Sequence, residues 1–184
     1  MLKKIPFILI IILSTSILVL ALHNINYSSE PGYVGINVCG MCHKKEDVGQ
    51  QLKIWQNSQH SNAYKTLQTE KADKIAKEKG FKTKAVETKD CLKCHAIGYD
   101  LDASLLGKKF KVEDGVQCET CHGPGSAYKS KKIMKDRTAS IDKGLIIYDN
   151  PKELCVKCHN EESPVFKGFD FEKMWAKIKH SKPE

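Results

Sequence analysis

Apolar residues are concentrated at the start of the chain and are sparse after it. Lys3 and Lys4 precede a predominantly apolar run over residues 6–22. Such a run is longer than most signal-peptide cores and shorter than the ~20 residues of a comfortable membrane span. Val19 and Ala21 form a small-residue cleavage pattern, so a cleaved signal and a retained membrane anchor both stay open, with the anchor favoured. In either case we expect the rest of the chain on the periplasmic side of the cytoplasmic membrane.

The polar remainder shows two amphipathic stretches. Residues 23–35 break any periodicity with Ser, Asn, Gly and Pro, which predicts a linker. Residues 54–67 (IWQNSQHSNAYKTL) predict a helix that extends to about Thr69, and the apolar side chains that follow His60 at helical spacing are Ala63, Tyr64 and Leu67. Near the C-terminus a second amphipathic helix is predicted, with its apolar face at Phe171, Met174, Trp175 and Ile178.

The composition leaves the domain short of a conventional hydrophobic core. The chain has 41% hydrophobic residues, and many of these lie before residue 23. Residues 36–184 are lysine-rich and lack long apolar runs, so the polypeptide by itself buries little surface to offset its conformational entropy. We therefore expect one domain over 36–184 whose core is completed by another component.

The cysteines indicate what that component is. All eight fall in C-x-x-C pairs, and each pair is followed at once by a histidine: Cys39, Cys42 and His43; Cys91, Cys94 and His95; Cys118, Cys121 and His122; Cys155, Cys158 and His159. The repeat recurs at irregular intervals, which favours one compact unit over a solenoid.

The adjacent histidine decides between three readings of the motif. A zinc site does not need histidine in the fifth place every time, and a disulfide needs none. In c-type haem attachment, the two thiols add to the two vinyl groups of one porphyrin and the histidine becomes the proximal iron ligand. The sequence predicts four covalently bound haem c groups.

Four haems define the predicted fold class and change the charge. We expect a mainly α, compact tetrahaem c-type cytochrome with short helices and loops wrapped around packed haems, with little β structure and with Trp55 and Trp175 packed on porphyrin. The formal charge is +8, and four haems with ionised propionates bring it to roughly +4 when oxidised and near neutral when reduced. No nucleic-acid motif accompanies the lysines, so we expect redox proteins as partners, membrane contact through the N-terminal segment, and no nucleic acid.

A count of iron ligands separates a carrier from an enzyme. Beyond the four motif histidines the chain has only His23, His60 and His180, and His23 lies at the membrane segment. His60 and His180 are therefore predicted distal ligands. Met134 and the neighbouring lysines are weaker candidates, because a lysine must first lose its proton. At least one iron is then expected to lack a strong sixth ligand, which permits chemistry on a small molecule without requiring it.

Several stretches together resemble a known family. CGMCH, IWQNSQHSNAYKTL, DCLKCHAIGY, GVQCETCHGPG, CVKCH and FDFEKMWAKIKH are similar to the tetrahaem cytochrome c family that takes electrons from hydroxylamine oxidoreductase. The resemblance covers about residues 36–180. It implies that His60 is the distal ligand of the haem on Cys118 and Cys121, and that His180 serves the haem on Cys155 and Cys158.

The resemblance also implies an open haem and reveals one departure. It implies that the haem on Cys91 and Cys94 is five-coordinate under a loop after the fourth motif, where Phe166 lies. The family places a histidine about ten residues after CHGP, whereas this chain has lysines and Met134 there, so Lys, Met or no ligand is expected on the Cys39 haem. We expect an electron carrier between membrane and soluble partners of a respiratory chain; the alternative is an enzyme that reduces a small nitrogen oxide such as nitric oxide.

Overall fold

The computed structural model describes residues 30–180, and residues 31–180 fall within one compact unit. In this range the chain forms ten short α-helices: α1 Ile36–His43, α2 Gln51–Gln56, α3 Ala63–Leu67, α4 Glu70–Glu78, α5 Lys89–His95, α6 Cys118–His122, α7 Lys131–Met134, α8 Arg137–Asp142, α9 Pro151–Cys155 and α10 Phe171–Ile178. Single 3₁₀ turns lie at Glu46–Val48, Gln59–Asn62, Ala85–Glu87, Ala103–Leu105 and Val112–Asp114.

Extended structure is nearly absent from residues 30–180. A single isolated parallel bridge joins Tyr33 to Leu106. The predicted mainly α fold with little β structure is confirmed. Tyr33 and Val34, which the sequence placed in the linker, belong to the compact unit, and Val34 is buried.

Side-chain caps account for where several of these short helices begin. Thr69, Ser130, Asp136 and Asp170 each accept a hydrogen bond from the backbone N–H three residues later, at the starts of α4, α7, α8 and α10. Such caps satisfy donors that have no partner within the helix. They let helices of one or two turns form in a chain that has little apolar surface.

The buried apolar core of the described residues is small. Its largest cluster surrounds α5 and consists of Leu67, Ala76, Ala85, Leu92 and Ala96. Tyr64, Phe81 and Val112 pack against this cluster from its edge. Three of its five members are alanines, so the cluster buries little surface for a domain of this size, as the composition predicted.

The amphipathic stretch around His60 differs from its prediction. A helix continuous to about Thr69 was expected, but the chain forms α2, a 3₁₀ turn and α3 instead. Ser58 is extended, and its hydroxyl donates to the Trp55 carbonyl at 2.7 Å, while the Ser61 hydroxyl donates to the Ser58 carbonyl at 2.8 Å. These local bonds compete with the helical ladder and break it, which places His60 in the 3₁₀ turn.

The C-terminal amphipathic helix matches its prediction closely. α10 covers Phe171–Ile178, and Phe171, Trp175 and Ile178 are half-buried. Met174, from the same predicted face, is exposed. α10 packs near α2, so the two helices that precede the predicted distal histidines lie on the same side of the unit.

The predicted signal or anchor over residues 1–22 lies outside the described residues. Within residues 30–180, none of the helices has the length and apolar character needed to cross a bilayer.

Candidate functional site

The histidines of the second and third motifs are oriented by backbone carbonyls. The Nδ1 atom of His95 lies 2.8 Å from the Ala63 carbonyl, and that of His122 lies 3.0 Å from the Ile146 carbonyl. Because a carbonyl only accepts hydrogen bonds, each Nδ1 must carry the proton, which leaves Nε2 as the free lone pair. A histidine that binds a metal through one ring nitrogen usually donates a hydrogen bond from the other in this way. The rings are therefore prepared to bind iron through Nε2.

Two pairs of imidazole rings face each other at a distance that fits one iron between them. The ring centroids of His60 and His159 are 6.1 Å apart, and those of His122 and His180 are 5.9 Å apart. A metal–imidazole bond is about 2.0 Å long, so two rings on opposite sides of one ion have centroids roughly 6 Å apart. Both pairs fit a six-coordinate iron with two histidine ligands.

The structure reverses the distal partners that the family resemblance implied. His60 faces His159 of the fourth motif rather than His122 of the third, and His180 faces His122 rather than His159. The implied assignment is corrected accordingly. The physical reason is the path of the chain, since the order of motifs along the sequence does not say which motif a distant turn will approach.

Burial favours the protonation state that iron requires. Desolvation lowers the pKa of His60, His122 and His159, and a neighbouring imidazole lowers each of them further. These rings are therefore neutral at neutral pH, which is the form that donates a lone pair to a metal.

An aromatic residue that sequence reasoning missed supports the fourth motif. The ring of Phe169 stacks on that of His159 with centroids 4.7 Å apart and an interplanar angle of 18°. Phe169 in turn contacts Phe171 at the start of α10 edge-to-face. The stacking fixes the plane of the His159 ring. The pattern FDF was visible in the sequence, but nothing in it indicated a histidine partner.

The first and second motifs have no additional described histidine. His60 and His180 are the only histidines outside the motifs in residues 30–180, and both face other rings. The Nδ1 atom of His43 lies 3.3 Å from Gln51 Oε1. Met134, the candidate ligand in the lysine stretch, accepts a hydrogen bond at its sulfur from the Ser140 hydroxyl at 3.9 Å. Residues 30–180 thus contain no further histidine that could pair with His43 or His95.

Thiols of different motifs lie next to each other. The thiol of Cys39 in the first motif is a close neighbour of Cys118 in the third, and the thiol of Cys94 in the second is a close neighbour of Cys158 in the fourth. Cys121 lies close enough to Cys155 for electrostatic coupling, and burial followed by this coupling raises the pKa of Cys121 to about 11. The four motifs are therefore neighbours in space, in the order first, third, fourth, second.

The loop after the fourth motif is fastened to the second. Lys93 in α5 forms an ion pair with Glu162 at 2.6 Å. Both side chains are exposed to water, which screens their charges, so this pair contributes little to stability. Phe166 lies four residues further on and is half-buried. The contact joins this loop to the helix that carries Cys91, Cys94 and His95.

The CHGPG turn is built around a buried carboxylate inside the third motif. Glu119 is 2% exposed and accepts hydrogen bonds from the backbone N–H groups of Val34, Gly35 and Gly125, at 2.7–3.0 Å. A Cβ atom on Gly125 would lie 3.0 Å from Glu119 Oε1 and 3.2 Å from Val34 Cγ2, so a side chain does not fit there without displacement. Tyr128 closes the turn, since its hydroxyl donates to the Gly123 carbonyl at 2.7 Å. Sequence reasoning noticed the turn but not the carboxylate.

The disulfide and zinc alternatives for the cysteine motif have no matching arrangement of side chains in residues 30–180. The eight cysteines are free, with no disulfide between them. A structural zinc ion is held by four ligands arranged as a tetrahedron. The described residues contain no group of three or more His, Cys, Asp or Glu side chains that could hold a metal ion. A porphyrin carries four of the ligands of its iron, so facing pairs of histidines are sufficient for haem.

Comparison with known proteins agrees with the motifs. The family model described as cytochrome c554 and c-prime matches residues 38–123, which include the first three motifs and His60. Residues 38–123 are thus similar to the cytochrome c554 family. The resemblance seen in the residues is confirmed. Similarity to this family supports covalently bound haem c, and the facing imidazole pairs fit that group.

One curated relative extends the match beyond the family segment. Cytochrome c-554 of Nitrosomonas europaea is 27% identical over 157 residues, which cover 77% of this chain and 63% of the relative. The chain thus spans less than two thirds of the length of the curated relative that it matches. No solved structure matches the chain.

Proposed function

We propose that this chain is a tetrahaem c-type cytochrome that carries electrons between a membrane donor or acceptor and soluble redox partners in the periplasm. The observation that carries this proposal is the pair of facing imidazoles, His60 with His159 and His122 with His180, at the separation of a six-coordinate iron. An iron ligated on both faces has no site for substrate, which suits electron transfer better than catalysis. The match of residues 38–123 to the cytochrome c554 family model supports the same class of function.

The chain's own residues have three tasks in this proposal. The eight motif cysteines hold the haems through thioether bonds, and the four motif histidines supply the proximal ligands. His60 and His180 supply distal ligands. When bound, each haem supplies one-electron redox chemistry at its iron.

The thiol contacts between motifs support a route for electrons through the protein. Cys39 contacts Cys118, Cys121 lies near Cys155, and Cys158 contacts Cys94. Haems attached at these cysteines would have their porphyrin edges next to one another, in the order first, third, fourth and second motif. The ends of the route are then the haems on Cys39 and on Cys91, where we expect the redox partners to dock.

The proposed number of haems is tested by intact mass. The four complete motifs should each carry one haem, so the exported protein should be heavier than its polypeptide by four haem increments. The measurement is mass spectrometry under denaturing conditions, which keep thioether-bound haem and remove any other. The matched control is the Cys155→Ala/Cys158→Ala variant, which should show three increments. Fewer than four on the unmodified protein would contradict the tetrahaem proposal.

The proposed location is tested by fractionation. We expect the protein in the membrane fraction, released by detergent but not by salt, because residues 6–22 are predominantly apolar behind two lysines. A periplasmic enzyme and an integral membrane protein of the same cells serve as controls. Recovery as a soluble periplasmic protein that begins near Leu22 would show instead that the segment is removed.

A second function is favoured by one observation. His95 has no further described histidine to face it, so an iron bound there has a position for a small ligand. This supports the alternative of an enzyme that reduces a nitrogen oxide such as nitric oxide at the haem on Cys91 and Cys94. Ligand binding to the reduced protein separates the two functions.

A further inference from the structure

The most unusual buried group outside the iron ligands is the Glu119 carboxylate. It lies between the two cysteines of the third motif, is 2% exposed, and makes no ion pair with Lys, Arg or His in the described residues. An isolated buried charge costs several kcal/mol unless hydrogen bonds compensate for the lost water. We therefore looked for a functional role of this buried carboxylate.

The partners of Glu119 indicate an ionised carboxylate. Oε1 accepts from the N–H groups of Val34 at 2.9 Å and Gly125 at 2.7 Å, and Oε2 accepts from those of Val34 at 3.0 Å and Gly35 at 2.7 Å. All of these partners are donors. A protonated carboxyl would present its own donor to this ring of donors, whereas the ionised form only accepts.

These hydrogen bonds join the supports of two haems. Val34 and Gly35 come directly before α1, which carries Cys39, Cys42 and His43, and Gly35 is the N-cap of this helix. Glu119 belongs to α6, which carries the third motif, and α1 packs against α6. The α1 helix has no acidic residue in its first turn and no side-chain cap of its own. Glu119 supplies from another helix the negative charge that a helix N-terminus favours.

The charge acts on the attachment points themselves. Glu119 directly follows Cys118 in the chain, and its carboxylate binds the backbone of Val34 and Gly35, which come shortly before Cys39. A fixed negative charge therefore lies beside the edge at which both haems are attached.

We propose that Glu119 is a positioning residue for electron transfer, which holds the haems of the first and third motifs at a fixed spacing and lowers their reduction potentials. This inference rests on the proposed tetrahaem function. A buried negative charge stabilises ferric iron, which carries one more positive charge than ferrous iron, so both potentials fall. The haems of the second and fourth motifs lie on other elements and are affected less.

The decisive variant is Glu119→Gln, which keeps the shape and removes the charge. One amide oxygen still accepts hydrogen bonds, but the NH₂ group now faces a backbone donor and that bond is lost. In a redox titration followed by visible spectroscopy and EPR, two of the four midpoints should move to higher potential while the other two stay in place. We expect at least a tenfold change in the oxidised-to-reduced ratio at fixed potential, which is about 59 mV for one electron.

Two further variants separate the charge from the spacing. Gly125→Ala forces a Cβ against Glu119 Oε1 and leaves the charge in place, so it should change the Soret circular-dichroism couplet of neighbouring haems with a smaller shift in potential. Glu153→Gln is the matched control, because Glu153 is an exposed glutamate two residues before Cys155. This control should leave all four midpoints unchanged.

The outcomes distinguish this inference from the function on which it rests. If intact mass shows that the unmodified protein lacks four haems, the tetrahaem proposal fails. If Glu119→Gln carries four haems and its midpoints and Soret couplet equal those of the unmodified protein, only the role of Glu119 is overturned. If Glu119→Gln does not mature, Glu119→Asp decides: it keeps the charge on a shorter side chain, so an altered couplet supports the proposal and an unchanged couplet overturns it.

Discussion

Replacement of His60 by alanine is expected to convert one haem, the one held by Cys155, Cys158 and His159, from low-spin to high-spin. The reason is the 6.1 Å separation of the His60 and His159 ring centroids, which fits two axial ligands on one iron. EPR of the oxidised protein should lose one low-spin signal of the set and gain one high-spin signal near the field typical of five-coordinate ferric haem. Added imidazole should restore the low-spin form, because it fills the vacated position.

The experiment also tests which haem His60 serves. In the Cys155→Ala/Cys158→Ala background, which lacks the fourth haem, His60→Ala should cause no further change in spin state. In the Cys118→Ala/Cys121→Ala background it should still produce the high-spin signal. The reverse result would restore the partners implied by the family resemblance. Gln59→Ala, one residue away in the same 3₁₀ turn, is the matched control and should leave the spectrum unchanged.

His180→Ala provides an independent check of the second imidazole pair. His180 faces His122 at 5.9 Å, so the haem that becomes high-spin should be the one on Cys118 and Cys121. His180 follows the end of α10 by two residues, and its Nδ1 atom lies 3.1 Å from the Ile178 carbonyl, which orients the ring. A protein with both histidines replaced and an unchanged spectrum would contradict both assignments.

The sequence indicates which residues are candidate haem ligands more readily than which of them share an iron. Covalent attachment requires two thiols and a histidine at fixed spacing, so Cys39, Cys42 and His43 are visible as a unit in the sequence alone. Distal ligation has no such spacing rule, because it joins parts of the chain that are far apart. His60 was identified by the scarcity of histidine, but its partner depends on how the turn at Gln59–Asn62 approaches the fourth motif.

The helices show the same contrast between features that have a sequence pattern and features that depend on specific contacts. α10 was predictable because its apolar residues recur at helical spacing and Asp170 caps its start. The break between α2 and α3 was not, because the hydroxyls of Ser58 and Ser61 compete with the helix through bonds that a periodicity pattern does not contain. Glu119 was hidden for another reason: it occupies one of the two variable positions of its motif, where the spacing rule says nothing about side chains.

The reduced protein is expected to bind carbon monoxide at the haem on Cys91 and Cys94. The Ala63 carbonyl lies 2.8 Å from His95 Nδ1, which leaves Nε2 free for the proposed proximal bond, and residues 30–180 contain no further histidine to serve as a distal partner. Carbon monoxide or nitric oxide added to the dithionite-reduced protein should therefore give a rapid shift of the Soret band. The stoichiometry should be at least one ligand per protein, and two if the haem of His43 also lacks a strong sixth ligand.

Two variants assign that binding to a site. In the Cys91→Ala/Cys94→Ala background the rapid phase should fall by one ligand per protein, while in the Cys155→Ala/Cys158→Ala background it should be unchanged. Phe166→Ala should accelerate the rapid phase if the loop fastened by Lys93 and Glu162 covers the iron. A reduced protein that shows only low-spin haem and binds neither gas would exclude the open position. The enzyme alternative would then fail, and a protein with every iron closed by protein ligands would be left with electron transfer alone.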